Sequence, residues 1–520
     1  MQTTPPNILF IMADQMTATA LPFYGRSLTQ TPHLSALADE GVVFANAYCN
    51  SPLCAPSRFS MMSGQLPSRI GAYDNAAYFP GDVPTIAHYL RARGYHTCLS
   101  GKMHFVGADQ LHGFEERLTT DIYPSDFGWT PDWENDERPS WYHNMLSVVQ
   151  AGLCTTSNQL DFDEEVAFHA VRKIYDLARR EEEDKRPFFL LASFTHPHDP
   201  FAITPEYWNR YHHADIDMPA VPPIPYDQLD PHSQRLYHVS AMGDYAQTEG
   251  RVRNSRHAYY AMISYIDDKV GQLVKALHDT GQADNTVIIF VSDHGEMLGE
   301  RGMWYKMSFF EGSARVPMIF HAPHHFPAGR VQQPVSLVDL LPTLVDLADN
   351  DHAPHTYTIP LDGRSLLPLL HNNQAPTNRT VYGEMLGEGA IAPLVMIRNG
   401  RYKYIYSPPD PEQLYDLAAD PHELNNLAPH NDYANVRHDF YNQMQAQWDL
   451  PQIHAQVLAS QQRRRLVDEA LRNGRHTPWD FQPFTDASQK YMRNHLDLNV
   501  LERTARFPSP NVPEKDGVNA

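Results

Sequence analysis

Cys54 opens a short run, Cys54-Ala55-Pro56-Ser57-Arg58, that closes at Gly64. Pro56 suits the first turn of a helix, Phe59, Met61 and Met62 give an apolar face, and Gly64 is a natural stop. Cys54 therefore falls at a helix N-terminus, where unpaired backbone N–H groups favour an anion. Arg58, one turn along, directs a permanent cation the same way. A lone cysteine is more often a buried structural thiol than a nucleophile, so the rest of the chain must support a chemical role.

That support comes from four apolar runs, each of which ends in side chains that bind metals or move protons. Ile8 to Met12 leads to Asp14-Gln15, His96 to Leu99 to Lys102 and His104, Phe188 to Phe194 to His196 and His198, and Val287 to Val291 to Asp293-His294. Helical patterns lie between them, at Thr31 to Glu40, Pro84 to Arg93, Phe162 to Arg180 and His257 to His278. The alternation predicts an α/β fold built on a large, mixed, mostly parallel sheet flanked by helices, in which ligands bind at the carboxyl ends of the strands. Solvated strand ends explain one such run easily and four poorly.

Residues 105–160 and 199–250 are long, rich in proline and aromatic residues, and predict substrate walls or lids. From about Arg379 short alternating strands take over, clearest at Leu394 to Ile397 and Tyr402 to Tyr406. The expected division is a catalytic domain over residues 1–378, a small α+β domain with an antiparallel sheet over 379–450, and an extended tail over 451–520. The tail has too little apolar surface to fold alone, so it is expected to build contacts in a homo-oligomer, a dimer or tetramer.

The chain of 520 residues carries 41 basic and 62 acidic side chains, a net charge of −21, which argues against nucleic-acid and anionic-membrane partners. Its four cysteines show no disulfide or CxxC spacing, and its N-terminus lacks a basic, then apolar, leader. These features predict a cytoplasmic protein.

Cys-x-Pro-Ser-Arg, then five residues and Gly, resembles the signature of the cysteine-type sulfatases of the alkaline phosphatase superfamily. Arg315 to Ile319, Ser336 to Thr343, Gly363 to Leu366 and Leu414 to Asp420 resemble further segments of that family, so the likeness runs from about Asn7 to Leu427. From about Arg463 to Pro508 the tail resembles the C-terminal extension of choline sulfatases.

The resemblance implies an alkaline phosphatase-like fold and conversion of Cys54 to formylglycine by a separate formylglycine-generating enzyme, which reads Pro56 and Arg58. One hydroxyl of the hydrated aldehyde would attack sulfur, and the other would expel sulfate. Asp14, Gln15, Asp293, His294 and position 54 match the ligands of one divalent cation, Ca²⁺ or Mn²⁺. Gln15 and His294 replace the second Asp and the Asn of many relatives, which tilts the site toward Mn²⁺. Arg58, Lys102 and Lys306 would neutralise the sulfate oxygens, His104 would help deprotonate the hydrate, and His198, rather than His196, would protonate the departing alcohol.

The implied substrate is a small sulfate ester, choline sulfate, with a phosphonate monoester or phosphodiester as the alternative on the same scaffold; a catalytically dead scaffold is disfavoured by the chemically competent residues. A quaternary ammonium needs aromatic faces and negative charge. Trp129, Trp133, Trp141 and Tyr142 crowd one loop, with Asp126, His143 and Asn144 among them. Trp129 is the expected ring and Glu384 the expected carboxylate, with Glu388 and Asp497 as further candidates, and Asn75 and Asn144 are expected to contact substrate.

Overall fold

The computed structural model describes residues 5–25, 28–135, 143–181, 185–349, 357–373, 379–473, 490–493, 496–506, 508 and 510–511. Its centre is a nine-stranded sheet. From one edge to the other the strands are Gly329–Ser336, Val42–Tyr48, Met318–His321, Thr286–Ser292, Asn7–Ala13, Phe188–Ser193, His96–Gly101 and Glu116–Arg117, with Arg315–Val316 pairing beside Val42–Tyr48. Only the pairings made by Met318–His321 and Arg315–Val316 are antiparallel.

The apolar runs are strands buried on both faces, which is why they read as continuous rather than alternating. Ile8, Phe10 and Met12 face one side and belong to the same apolar cluster as Phe59, Met62 and Leu344. Leu9, Ile11 and Ala13 face the other and share a second cluster with Phe162, Val166, Tyr259 and Ile266 from the long helices Asn158–Ala178 and Glu249–Asp279.

Register decides where the chemistry collects. Met12 and Gly101 both pair with Ser193, and Ala13 pairs with Ser292. Four strands therefore end level with one another, and the residues that follow them converge on one edge of the sheet. The helix Cys54–Ser63 reaches the same edge; Gly64 ends it with φ 68° and an N–H bonded to the Ser60 carbonyl, as expected of a glycine stop.

A second sheet, antiparallel, runs Thr380–Met385, Leu394–Asn399, Tyr402–Tyr406, Gln413–Asp416. Its Val395, Ile397 and Tyr404 form one apolar cluster with Phe440 and Met444 of the helix Ala434–Gln447 and with Leu450, Ile453 and Val457 of the helix Leu450–Leu471. The helix Leu450–Leu471, at the head of the expected tail, thus contributes to the small domain's core. What stands apart is the later tail, where Met492 is fully buried and the helix Leu498–Ala505 lies against the segment that carries Asn144. No helix among the described residues is long and apolar enough to cross a membrane.

Candidate active site

Arg58 is fully buried at the centre of the converging strand ends. Its Nε donates to Asp293 (2.8 Å), one terminal nitrogen to Asp14 (2.9 Å), and the other to the Lys102 carbonyl (2.6 Å) and Ser193 Oγ (2.9 Å). This corrects one expectation. The guanidinium is committed to the carboxylates and to two strand ends, so Arg58 organises the anionic cluster instead of facing a substrate. Ser57 adds to the same frame by donating to the Asp293 carbonyl at 2.5 Å.

Ligand atoms of Asp14, Cys54, Asp293 and His294 lie within 4.8 Å of one another, all buried. Cys54 Sγ is 3.2 Å from His294 Nε2 and 3.9 Å from Asp14 Oδ1. His294 Nδ1 donates to the Gly295 carbonyl (3.0 Å), which leaves the Nε2 lone pair directed into the cluster, as a metal-binding imidazole requires. Gln15 joins through its amide oxygen, which accepts from Lys306 Nζ at 2.6 Å. Two carboxylates and an imidazole nitrogen in one cluster, with the Gln15 amide oxygen linked to it through Lys306, suit a divalent cation of the manganese or calcium type.

Burial by itself would raise the pKa of Asp14, but Lys102, His198, Arg58 and Lys306 outweigh it and hold the carboxyl well below its usual range. Lys102 forms an ion pair with Asp14 and lies 4.0 Å above the Tyr123 ring. Lys306 Nζ reaches Cys54 Sγ (3.3 Å) and His198 Nε2 (2.8 Å). Burial, followed by the Asp14 charge, pushes the Cys54 thiol up to about 11. An unmodified thiol here stays protonated near neutral pH and is a weak nucleophile.

His104 is buried, and neither of its ring nitrogens has a hydrogen-bond partner among the described residues. Burial and then Lys102 lower its pKa to about 3, so the imidazole is neutral near pH 7. Its backbone has φ 58° and is held by Asp121, whose Oδ2 accepts the N–H groups of Met103 (3.0 Å) and His104 (2.9 Å). His198 donates from Nδ1 to the Asp199 carbonyl (2.7 Å) and accepts at Nε2 from Lys306. Burial and then Lys306 keep its pKa well below the ordinary value. His196 instead pairs with Asp163 at 2.7 Å, away from this cluster.

The substrate-side residues divide. Asn75 accepts the Ala55 N–H (3.0 Å) at the start of the Cys54 helix. Trp129 packs on His104 and Tyr123, with centroids 5.7 and 5.3 Å away. Asn144 sits at the rim, its carbonyl accepting from Tyr305 and its amide bonded to Asn499. Trp133 turns the other way and pins its loop, donating to the Gly387 carbonyl at 3.0 Å and stacking near His454. Asp126 caps a turn at Gly128, His143 lies 3.5 Å from Asp199, and Trp141 and Tyr142 fall outside the described residues.

Two expectations about acidic partners are corrected. Glu384 is saturated by the Ser68 N–H (2.7 Å), Ser68 Oγ (2.8 Å) and Trp448 Nε1 (2.7 Å), so it ties the small domain to the catalytic one. Asp497 is exposed and caps the helix Leu498–Ala505 through the Val500 N–H. Glu388 differs from both. It is buried, pairs with no cation among the described residues, and is pushed well above the usual carboxylate range by burial and by Asp74.

Tyr123, Asp199 and Glu296 also belong to the site; Glu296 closes the Asp293-His294-Gly295-Glu296 strand end, but no role is assigned to any of the three from sequence. Asp199 and Glu296 each follow a marked motif closely, which is their one signal; Tyr123 lies in a long connection with none.

The chain resembles known proteins over most of its length. Residues 6–350 match the sulfatase family model, and residues 455–507 match the model described as choline sulfatase enzyme C terminal. A choline-sulfatase of Rhizobium meliloti (strain 1021) is 49% identical over 98% of this chain and 99% of its own length. An arylsulfatase of Clostridium perfringens is 30% identical over 82% of this chain and 91% of its own. Among solved structures, the phosphonate monoester hydrolase of Agrobacterium radiobacter superposes with a TM-score of 0.68 at 27% identity, covering 87% of this chain and 96% of that one.

Proposed function

This chain belongs to the sulfatase family, and on that premise we propose that it hydrolyses choline sulfate to choline and inorganic sulfate. The observation that carries the reading is a buried acid left without a cation across from two lysines. Lys102 and Lys306 flank Cys54, whereas Glu388, which burial and Asp74 hold protonated until a cation joins it, has no cationic partner among the described residues and adjoins Gly387, to which Trp133 ties the loop bearing Trp129. An anionic sulfate and a quaternary ammonium on one small molecule complement that pairing, since a group without N–H can be held only by ring faces and negative charge. The near full-length likeness to the Rhizobium choline-sulfatase supports the same substrate.

Formylglycine, made from Cys54 as is general in the family, supplies a hydrated aldehyde as nucleophile and a route to release sulfate by collapse. A divalent cation at Asp14, Gln15, Asp293, His294 and position 54 would polarise the sulfate, and the amide and imidazole donors favour Mn²⁺. The chain's own residues handle the protons. Neutral His104 accepts one from the nucleophile's hydroxyl, and His198, whose Nε2 lies 2.8 Å from Lys306 Nζ, is the group placed to protonate the departing alcohol oxygen. Choline is an alkyl alcohol and leaves poorly unprotonated, so general acid catalysis of about 10²–10⁴-fold matters here. The four buried, unpaired cysteines support a reducing, cytoplasmic setting, and the apolar residues left exposed on the helix Leu450–Leu471, Leu466 and Val467, support a homo-oligomer.

The test compares choline sulfate with an uncharged aryl sulfate and a phosphonate monoester. Trp129→Ala and Glu388→Gln should each raise KM for choline sulfate by about 2- to 30-fold, the equivalent of one cation contact, with little change on the aryl sulfate. Equal losses on both sulfates would remove the cation subsite. A wild-type preference for the phosphonate would overturn the substrate.

A further inference from the structure

Glu296 lies behind the cluster, 1% exposed, with no cation beside it among the described residues. Its Oε2 accepts from Gln15 Nε2 at 2.5 Å. Its Oε1 accepts two backbone N–H groups, from Leu298 (2.8 Å) and from Tyr305 (2.6 Å), the residue before Lys306. The stretch it spans holds Leu298, Arg301, Tyr305 and Met307 at positive φ, between 51° and 70°, so its conformation needs outside support.

We propose that Glu296 is the positioning residue that decides which end of the Gln15 carboxamide faces the cation site, and that it presents Lys306 by the same contacts. A carboxamide is nearly symmetric in shape, and its partners choose its orientation. Lys306 Nζ can only donate, so the end of Gln15 that it meets must be oxygen. On the other side Glu296 Oε2 (2.5 Å) and the more distant Asp199 Oδ1 (3.4 Å) both accept from Gln15 Nε2, so the opposite end is NH₂. The ligand oxygen is thereby aimed at the cluster before any ion arrives. The same arrangement explains why position 15 carries an amide: a carboxylate there would offer no N–H to the buried Glu296 Oε2 and would set acceptor against acceptor.

The inference rests on the metal reading of the cluster, and the experiment separates the two. Glu296→Gln keeps the shape. Its oxygen must stay with the Leu298 and Tyr305 N–H groups, so its new NH₂ opposes that of Gln15, which loses its partner or turns its oxygen away from the site. Mn²⁺ is titrated into metal-free full-length protein, and the free ion is followed by its electron paramagnetic resonance signal. Wild type should bind one ion. Glu296→Gln should bind about 10–100-fold more weakly with its fold intact, Gln15→Glu should also lose affinity, and the exchanged pair Gln15→Glu/Glu296→Gln should recover most of the loss. Failure of wild type to bind Mn²⁺ would refute the metal reading itself. Binding by wild type with undiminished affinity in Glu296→Gln, or additive losses in the exchanged pair, would overturn the positioning role. Should Glu296→Gln not fold, undiminished Mn²⁺ affinity in Gln15→Glu would overturn it instead.

Discussion

Replacing Arg464 with Met tests whether the helix Leu450–Leu471 belongs to the working enzyme. Arg464 meets Asp74 through two parallel bonds of 2.6 Å, with side chains 6% and 0% exposed. Asp74 also accepts the Ala76 N–H (3.0 Å), and its neighbour Asn75 accepts the Ala55 N–H at the head of the Cys54 helix. Methionine keeps most of the arginine's apolar stem but leaves a buried carboxylate uncompensated beside Glu388, at a cost of about 3–5 kcal/mol. The double replacement Arg464→Met/Asp74→Asn removes the stranded charge, keeps an acceptor for Ala76, and should recover most of that loss. Urea unfolding followed by tryptophan fluorescence suits the question, because Trp133 and Trp448 sit at the joint. KM should rise in the single variant, since the Asp74-Asn75 turn adjoins the substrate side. A loss below about 1 kcal/mol for Arg464→Met would refute the argument, because a pair that weak behaves as a surface ion pair.

Two further outcomes follow from local geometry. Gly101 has φ 110°, and a Cβ there would lie 1.9 Å from the Ser193 carbonyl oxygen, so Gly101→Ala must force apart a pair of adjacent strands whose ends carry Lys102 and Ser193. It should lower the melting temperature and abolish turnover, and wild-type activity in a folded Gly101→Ala protein would contradict this account of the strand ends. Asp267 accepts the N–H groups of His33 (3.0 Å) and Leu34 (2.7 Å) at the head of the helix Pro32–Glu40, yet burial raises its pKa to about 6 against an ordinary 3.8, with His33 and Asp268 nearby. The folded state then holds the proton more tightly than the unfolded one. This group's contribution is fully present below about pH 4 and declines as pH rises through about 6, by at most about 3 kcal/mol. Asp267→Asn should flatten that region of the stability profile measured by denaturation across pH 4–7, and an unchanged slope would show that the carboxyl does not titrate there.

The one-dimensional pattern determined what depends on neighbours in sequence. The Cys54 helix and its glycine stop follow from residues within one another's reach, and so do the four buried strands, whose continuous apolar runs require cover on both faces. Once those strands are parallel, the residues after Met12, Leu99, Phe194 and Val291 must gather at one edge, which is why Asp14, Lys102, His198 and Asp293 are legible from the chain alone.

Only tertiary structure decided which polar group meets which. Arg58 is 44 residues from Asp14 and 235 from Asp293, and no local pattern says whether its charge is spent on carboxylates or left for a ligand. Glu384 and Glu388 stand in similar sequence, but one reaches Ser68 and Trp448 while the other is buried without a cation among the described residues. The packing of the helix Leu450–Leu471 was hidden for the same reason, since its apolar residues acquire meaning only against Val395 and Tyr404 of another element. Periodicity tells a side chain which face to take; the burial of a charge, and hence its function, depends on partners that arrive from hundreds of residues away.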